Sequence, residues 1–217
     1  MKTAMIRTNR RMFLQALSGL ALSGTVASLP FEPARAAFDQ VQTDLIRDIN
    51  KRFNAVDRLE GDFVQIGPNG ERAEGRFYLW KPGRMRFEYK PPSPLLVVAN
   101  GSWVGISDLK ERTTERYPLK ATPLKLLLSD NIDLFKQANI RSVSADADLI
   151  TLVLEEKSGE AAGALTMMFD TATLALRQWV VTDAQGLDTS VALYNTETGK
   201  KRKKIMFVIP DYDRIRD

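Results

Sequence analysis

Carboxylate chemistry remains possible in this chain, whose 217 residues include neither histidine nor cysteine. Histidine is the commonest general base and metal ligand, so its absence removes many hydrolytic and metal-centred mechanisms. Two carboxylate pairs stand out. Asp130 and Asp133 straddle an interrupted helical stretch, and Glu155-Glu156 are neighbours in an apolar strand pattern. Successive strand residues point to opposite faces, so Glu155 and Glu156 cannot act on one substrate. Neither pair has the placement of an acid–base set. No enzyme activity, metal or cofactor is expected.

Charge narrows the partners. Of 31 basic and 27 acidic side chains, five bases and one acid fall within residues 1–36, which leaves 26 of each in the remainder. A nucleic-acid-binding domain carries a basic excess, and this one has none. Residues 1–36 read as a cleaved signal peptide. A basic start ends at Arg10-Arg11, a moderately apolar run extends to Leu29, and Ala34-Arg35-Ala36 sets cleavage before Ala37. The paired arginines followed by Met12-Phe13-Leu14 fit a twin-arginine export signal. Gly, Ser and Thr dilute the run below the ~20 apolar residues of a membrane span. The remainder, residues 37–217, is expected as one domain.

The elements that would position any site follow from periodicity. Val41, Leu45, Ile49, Phe53 and Val56 mark one stripe of an amphipathic helix over 39–56. After Gly61 the period becomes two. Met85, Phe87 and Tyr89 alternate with Arg84, Arg86, Glu88 and Lys90, and Lys81-Pro82-Gly83 turns this strand onto Gly75–Trp80. Further strands are expected at Leu95–Ala99, Ser102–Ser107, Glu111–Tyr117, Leu149–Glu155, Ala164–Phe169, Leu174–Thr182, Asp188–Tyr194 and Lys204–Ile209, with turns at Asn100-Gly101, Ser158-Gly159 and Gln185-Gly186. Between them, Thr122-Pro123 opens a short helix through Leu128, and Ile132–Ala138 forms a second helical piece. The run Lys200–Lys204 reads as a solvated hairpin tip, or alternatively as a docking patch for an anionic membrane.

Several residues together resemble the LolA family: Phe63-x-Gln65, Gly75-x-Phe77, Lys81-Pro82-Gly83-x-Met85-Arg86-Phe87-Glu88-Tyr89, Pro92, Leu95-Leu96-Val97-Val98, Asn100-Gly101, Trp103, Asp108, Thr122-Pro123-Leu124 and Phe207-x-x-Pro210. The resemblance spans nearly all of residues 38–210. It implies a mainly β fold with a few helices: an incomplete antiparallel β-barrel of about 11 strands, with an N-terminal helix and a short helical lid over its apolar face. The lipid-binding cavity would involve Phe77, Leu79, Met85, Phe87, Tyr89, Leu95, Val97, Trp103 and Leu176. The lid would be Pro123, Leu124, Leu127 and Leu128. Lys81, where the family usually carries Arg, would clamp the lid by bonding its carbonyls. Ser107-Asp108-Leu109-Lys110-Glu111 departs from the family's Tyr-Asp-x-x-Leu-x-Gln strand end.

The implied function is a periplasmic carrier, in a Gram-negative bacterium, of acylated lipoproteins bound for the outer membrane. A LolCDE-type ABC transporter in the inner membrane would be the donor. A LolB-type receptor, or the outer membrane itself, would be the acceptor. A monomer is expected. Two other readings remain open: a carrier of free lipid, and a lipoprotein-sensing regulator of the RseB type.

Overall fold

A computed structural model describes residues 38–157 and 162–212. The leader expected over 1–36 and the turn expected at Ser158-Gly159 lie outside the described residues. The chain opens with α1 (Gln40–Asn54) and continues through β1 (Arg58–Ile66), β2 (Arg72–Trp80), β3 (Arg84–Tyr89), β4 (Leu95–Asn100), β5 (Trp103–Asp108) and β6 (Thr113–Pro118). A 3-10 turn (Leu119–Ala121), α2 (Leu124–Leu127) and α3 (Leu134–Gln137) follow. Then come β7 (Ala138–Ala145), β8 (Leu149–Glu156), β9 (Ala164–Asp170), β10 (Leu176–Thr182) and β11 (Asp188–Thr198), and a last 3-10 turn (Lys204–Phe207).

All eleven strands form one antiparallel sheet in the order β6-β5-β4-β3-β2-β1-β11-β10-β9-β8-β7. The sheet is therefore two meanders joined where β1 pairs with β11, with β6 and β7 as its open edges. Alternation does what the sequence promised in β3: Met85 and Phe87 are buried, and their neighbours are half-covered. One face, here called inner, packs against α1 and the 119–134 segment around Phe63, Phe77, Phe87 and Phe169. The other, outer face carries a smaller cluster of Leu96, Val98, Phe207 and Ile209.

Three local expectations are corrected. Residues 204–209 do not form a strand. They make a 3-10 turn and an extended strap that lays Phe207 and Ile209 on the outer face. Gly105 leaves room for this: a Cβ there would lie 2.4 Å from Ile209 Cγ2. The second helical piece ends at Gln137, and Ala138 begins β7, whose pairing with β8 overrides helical propensity. In α1 the buried face centres on Ile46 and Ile49, whereas Val41 is 77% exposed. Asp39 caps this helix, its carboxylate accepting from the Gln42 amide while the Gln42 side chain accepts from Asp39 N–H.

Candidate functional site

The inner face holds an apolar hollow of about 310 Å3. Its walls come from the two meanders on either side of the β1–β11 seam. β3 to β5 supply Met85, Phe87, Tyr89, Leu95, Val97, Val104 and Ile106; β10 and β11 supply Trp179, Val181, Thr189 and Val191; Leu124 covers one side. This volume lies at the small end of the ~300–1,000 Å3 typical of ligand pockets. Polar atoms are few. The Tyr89 hydroxyl lies 2.6 Å from Gln65 Oε1, and burial pushes its pKa up to about 12.

Of the cavity residues expected from the sequence, Met85, Phe87, Tyr89, Leu95 and Val97 line the hollow. Phe77, Leu79 and Leu176 are buried in the packed core of the inner face instead. Phe77 stacks on Phe87 at 5.8 Å, so it supports a wall rather than forming one. Trp103 is on the wrong face. Val97 pairs with Ile106 and Ala99 with Val104, which puts the even residues of β5 inward and Trp103 outward. A one-residue step along a strand reverses the side a residue faces.

Trp179 and Val181 escaped sequence reading for a related reason. Counting alternately from Leu176 puts Gln178 and Val180 on the inner side. The register shifts between Leu176 and Gln178, a bulge that carries Trp179 and Val181 inward. Trp179 meets Phe87 edge-on at 5.9 Å. Val104 and Ile106 were within reach of the alternation once the Asn100-Gly101 turn fixed the hairpin.

The segment expected to be a lid is seated on the inner face. Leu127 and Leu128 are fully buried together with Leu126, Pro123 is buried, and Leu124 is half-buried over the hollow. Thr122 does not cap α2 as expected. Its hydroxyl bonds back to the Leu119 carbonyl at 2.9 Å, and Pro123 takes the cap position without a side-chain bond.

Lys81 is only 7% exposed, but its partner differs from the expected one. Its Nζ donates to the Phe53 carbonyl at 2.6 Å and sits 4.1 Å from the Phe53 ring centre, so it holds the end of α1. Burial pulls the ammonium below the usual lysine range, with Asp57 and Asp130 partly offsetting this. The lid carbonyl is met by backbone: Gly83 N–H donates to Leu128 O at 2.9 Å. Gly83 has φ +72°, and a Cβ there would lie 2.7 Å from Gly101 Cα, so this turn tolerates only glycine.

A second tether was not visible in the sequence. Asn54 donates from Nδ2 to Asn131 Oδ1 and to Ile132 O, both at 2.8 Å, and accepts from Ile132 N–H at 2.9 Å. Lys125 adds an ion pair to Glu156 at 3.3 Å. Three of the four carboxylates considered for acid–base chemistry have structural partners. Asp133 caps α3, Glu155 pairs with Arg141 and Glu156 with Lys125. No group of three metal-ligating side chains occurs among the described residues.

The basic run is corrected at two positions, while Lys201, Lys203 and Lys204 are exposed as expected. Arg202 is no solvated tip: it grips the buried Glu60 through two bonds of 2.8 and 2.7 Å, and Lys200 bridges Glu60 and Glu197. The Arg202 hydrogen bond draws the Glu60 carboxyl below its usual range.

Comparison with known proteins extends this picture. An uncharacterized protein of Rickettsia prowazekii (strain Madrid E) is 26% identical over 93 residues, 43% of this chain and 44% of that one. An outer-membrane lipoprotein carrier protein of Chromobacterium violaceum is 29% identical over 158 residues, 69% of this chain and 75% of its own. Among solved structures, a LolA superfamily protein of Nitrosomonas europaea superposes with a TM-score of 0.45 at 6% identity, over 75% of this chain and 97% of that one. The family model for outer membrane lipoprotein carrier protein LolA matches residues 54–210. With its eleven-stranded open sheet and that match over most of its length, the chain belongs to the LolA family.

Proposed function

We propose that this chain is a periplasmic carrier that takes up the acyl chains of lipoproteins leaving the inner membrane and passes them to the outer membrane. The observation that carries this reading is the apolar hollow beneath Leu124, a residue of the same segment that buries Pro123, Leu126, Leu127 and Leu128 against the sheet. A hollow of about 310 Å3 is too small for triacylated cargo while the lid is down. Cargo and lid therefore compete for the same apolar surface.

The magnitudes allow such a competition. Lifting Leu126, Leu127 and Leu128 from the core costs roughly 5–9 kcal/mol at about 1.5–3 kcal/mol per side chain. Burying one ~16-carbon chain returns on the order of 12 kcal/mol gross at ~0.8 kcal/mol per methylene. One chain suffices to open the lid, and the difference stays within the range of reversible binding. Lys81, Gly83 and Asn54 would hold the closed state, Lys81 acting through α1 rather than on the lid itself.

The donor would be a LolCDE-type transporter. The acceptor would be a LolB-type receptor or the outer membrane itself, with the carrier acting as a monomer after export. The test is mass spectrometry of organic extracts from the protein purified after export, beside a Val97→Glu variant that puts a carboxylate into the hollow. Acylated lipoprotein on the parent and none on the variant is the expected result. Equal loading of both, or an empty parent whose depletion leaves lipoproteins sorted normally, would end the proposal. Free lipid in place of lipoprotein would redirect it to the other carrier reading.

A further inference from the structure

The outer face carries a second, wider cleft of about 740 Å3, lined by Arg84, Asn100, Trp103, Arg116, Lys204, Phe207, Val208 and Ile209. It is built from different parts than the inner hollow. The Asn100–Trp103 turn stands on one side and the C-terminal strap on the other, and Phe207 anchors the strap edge-on against Trp80 at 5.9 Å. The strap buries Phe207 and Ile209 but leaves Ile205 70% and Val208 55% exposed, and Trp103 across the cleft is 45% exposed. Trp103 and Val208 thus stand exposed in one cleft, with Ile205 exposed on the strap beside it, and grouped exposed apolar side chains mark an interaction site.

Cations surround them. Lys203 and Lys204 immediately precede Ile205, and among the described residues neither they nor Arg84 has a carboxylate partner. Arg84 rests on the Trp80 ring at 5.4 Å, which Arg58 approaches at 5.1 Å. Arg116 is nearer to neutral: it sits 3.6 Å from Asp211 and donates to Pro210 O at 3.1 Å. Lys200 and Arg202 are spent on Glu60 and Glu197 and add little. Because the chain beyond residue 36 has equal numbers of acids and bases, this patch is a local excess and not a reflection of the whole.

We propose that this outer-face patch docks the protein onto an anionic phospholipid surface. The strap turn at Ile205 and the rings and side chains of Trp103 and Val208 enter the headgroup–acyl boundary, while Arg84, Lys203 and Lys204 meet phosphates. Two features favour a bilayer over a small soluble anion or an acidic protein. Ile205 projects from the strap and does not line the cleft, so a ligand seated inside would leave it in water. Exposed aliphatic and Trp side chains ringed by lysine and arginine are what an interface between hydrocarbon and anionic headgroups accepts.

The docking leaves the carrier site free. Gln65, Tyr89 and Leu95 of the hollow lie at the opposite ends of β1, β3 and β4 from Arg58, Arg84 and Asn100, and on the other face of the sheet. The proposal therefore stands apart from the carrier reading, and either can fail alone.

Flotation of the purified protein with vesicles tests it. Binding is expected to vesicles of phosphatidylglycerol and phosphatidylethanolamine, to be lost at about 1 M salt where screening is complete within ~3 Å, and to be absent with phosphatidylcholine alone. The Lys203→Gln/Lys204→Gln pair should weaken binding about thirty-fold, from roughly fivefold per lysine at an anionic surface. Ile205→Ser, at an exposed position that should not disturb the fold, should weaken it further. The proposal is overturned if the parent protein fails to float with anionic vesicles, if it floats equally with neutral ones, or if both outer-face variants bind like the parent. Capture of the protein by an acidic protein surface, with no flotation, would assign the patch to that partner instead.

Discussion

Tyr89 shows how one side chain ties the hollow to pH. Its hydroxyl is bonded to Gln65 and its pKa is raised by burial from 10 to about 12. Between those values the unfolded chain has released the phenolic proton and the folded chain has kept it. The unfolded state then binds fewer protons, so stability falls as pH rises through this window. The loss is up to roughly 3 kcal/mol. Tyr89→Phe should remove it: urea midpoints of parent and variant, compared at pH 10 and near pH 12, should converge on the variant's side with rising alkalinity. Parallel curves would mean that Tyr89 is hydrated in the folded state. Lys81 has the opposite sign. Its ammonium is destabilised by burial, so its proton is held more tightly when unfolded. Its contribution therefore rises with pH through its depressed value towards the ordinary lysine value of about 10.4.

At the scale of elements, the proposed lid is a chain segment with little helix of its own, held at both ends. Four-residue α2 cannot be stable by propensity. It stays because its leucines fill the inner core and because Gly83 and Asn54 meet its neighbouring backbone. Asn54→Ala removes bonds to the buried Ile132 amide and carbonyl and should cost about 2–4 kcal/mol. Hydrogen exchange should accelerate at Leu126–Leu128 and stay slow in β8 and β9. Uniform acceleration would show that the lid has no independent opening. The strap is a second such element. Phe207→Ala should cost about 3–5 kcal/mol if the strap is part of the cooperative fold, and the thermal midpoint reads this directly. A midpoint unmoved by the substitution would show that the strap frays without unfolding the sheet.

At the scale of the molecule, the sheet depends on a single seam. Strands close in sequence form two meanders, and only the β1–β11 pairing fuses them. Phe63 stands on that seam with no exposed surface, 4.7 Å from the Phe87 ring and 5.0 Å from Tyr89. Phe63→Ala should cost about 3–5 kcal/mol and, because the halves share one core, should unfold β2–β6 and β7–β10 in the same transition. Strand-resolved hydrogen exchange through the denaturant midpoint checks this, and separate transitions for the two halves would contradict it. The seam also explains why the hollow exists. Its walls come from both meanders, so neither half alone could enclose it.

Much of this protein was written in local patterns. Residues 81–89 alternate over a Pro-Gly turn, and a period of two needs no distant partner to place Met85, Phe87 and Tyr89 on one face. The family motifs were legible in the same stretch. Tertiary structure decided the rest, because it depended on register and on contacts distant in sequence. The bulge in β10 turned Trp179 and Val181 inward, and the β4–β5 register turned Trp103 outward. A backbone amide took the lid contact assigned to Lys81, and the segment after β11 became a strap. The bulge and the β4–β5 pairing are matters of register, which alternation alone does not fix, and the strap lies on a neighbour about a hundred residues away, which leaves no periodic trace in the chain it covers.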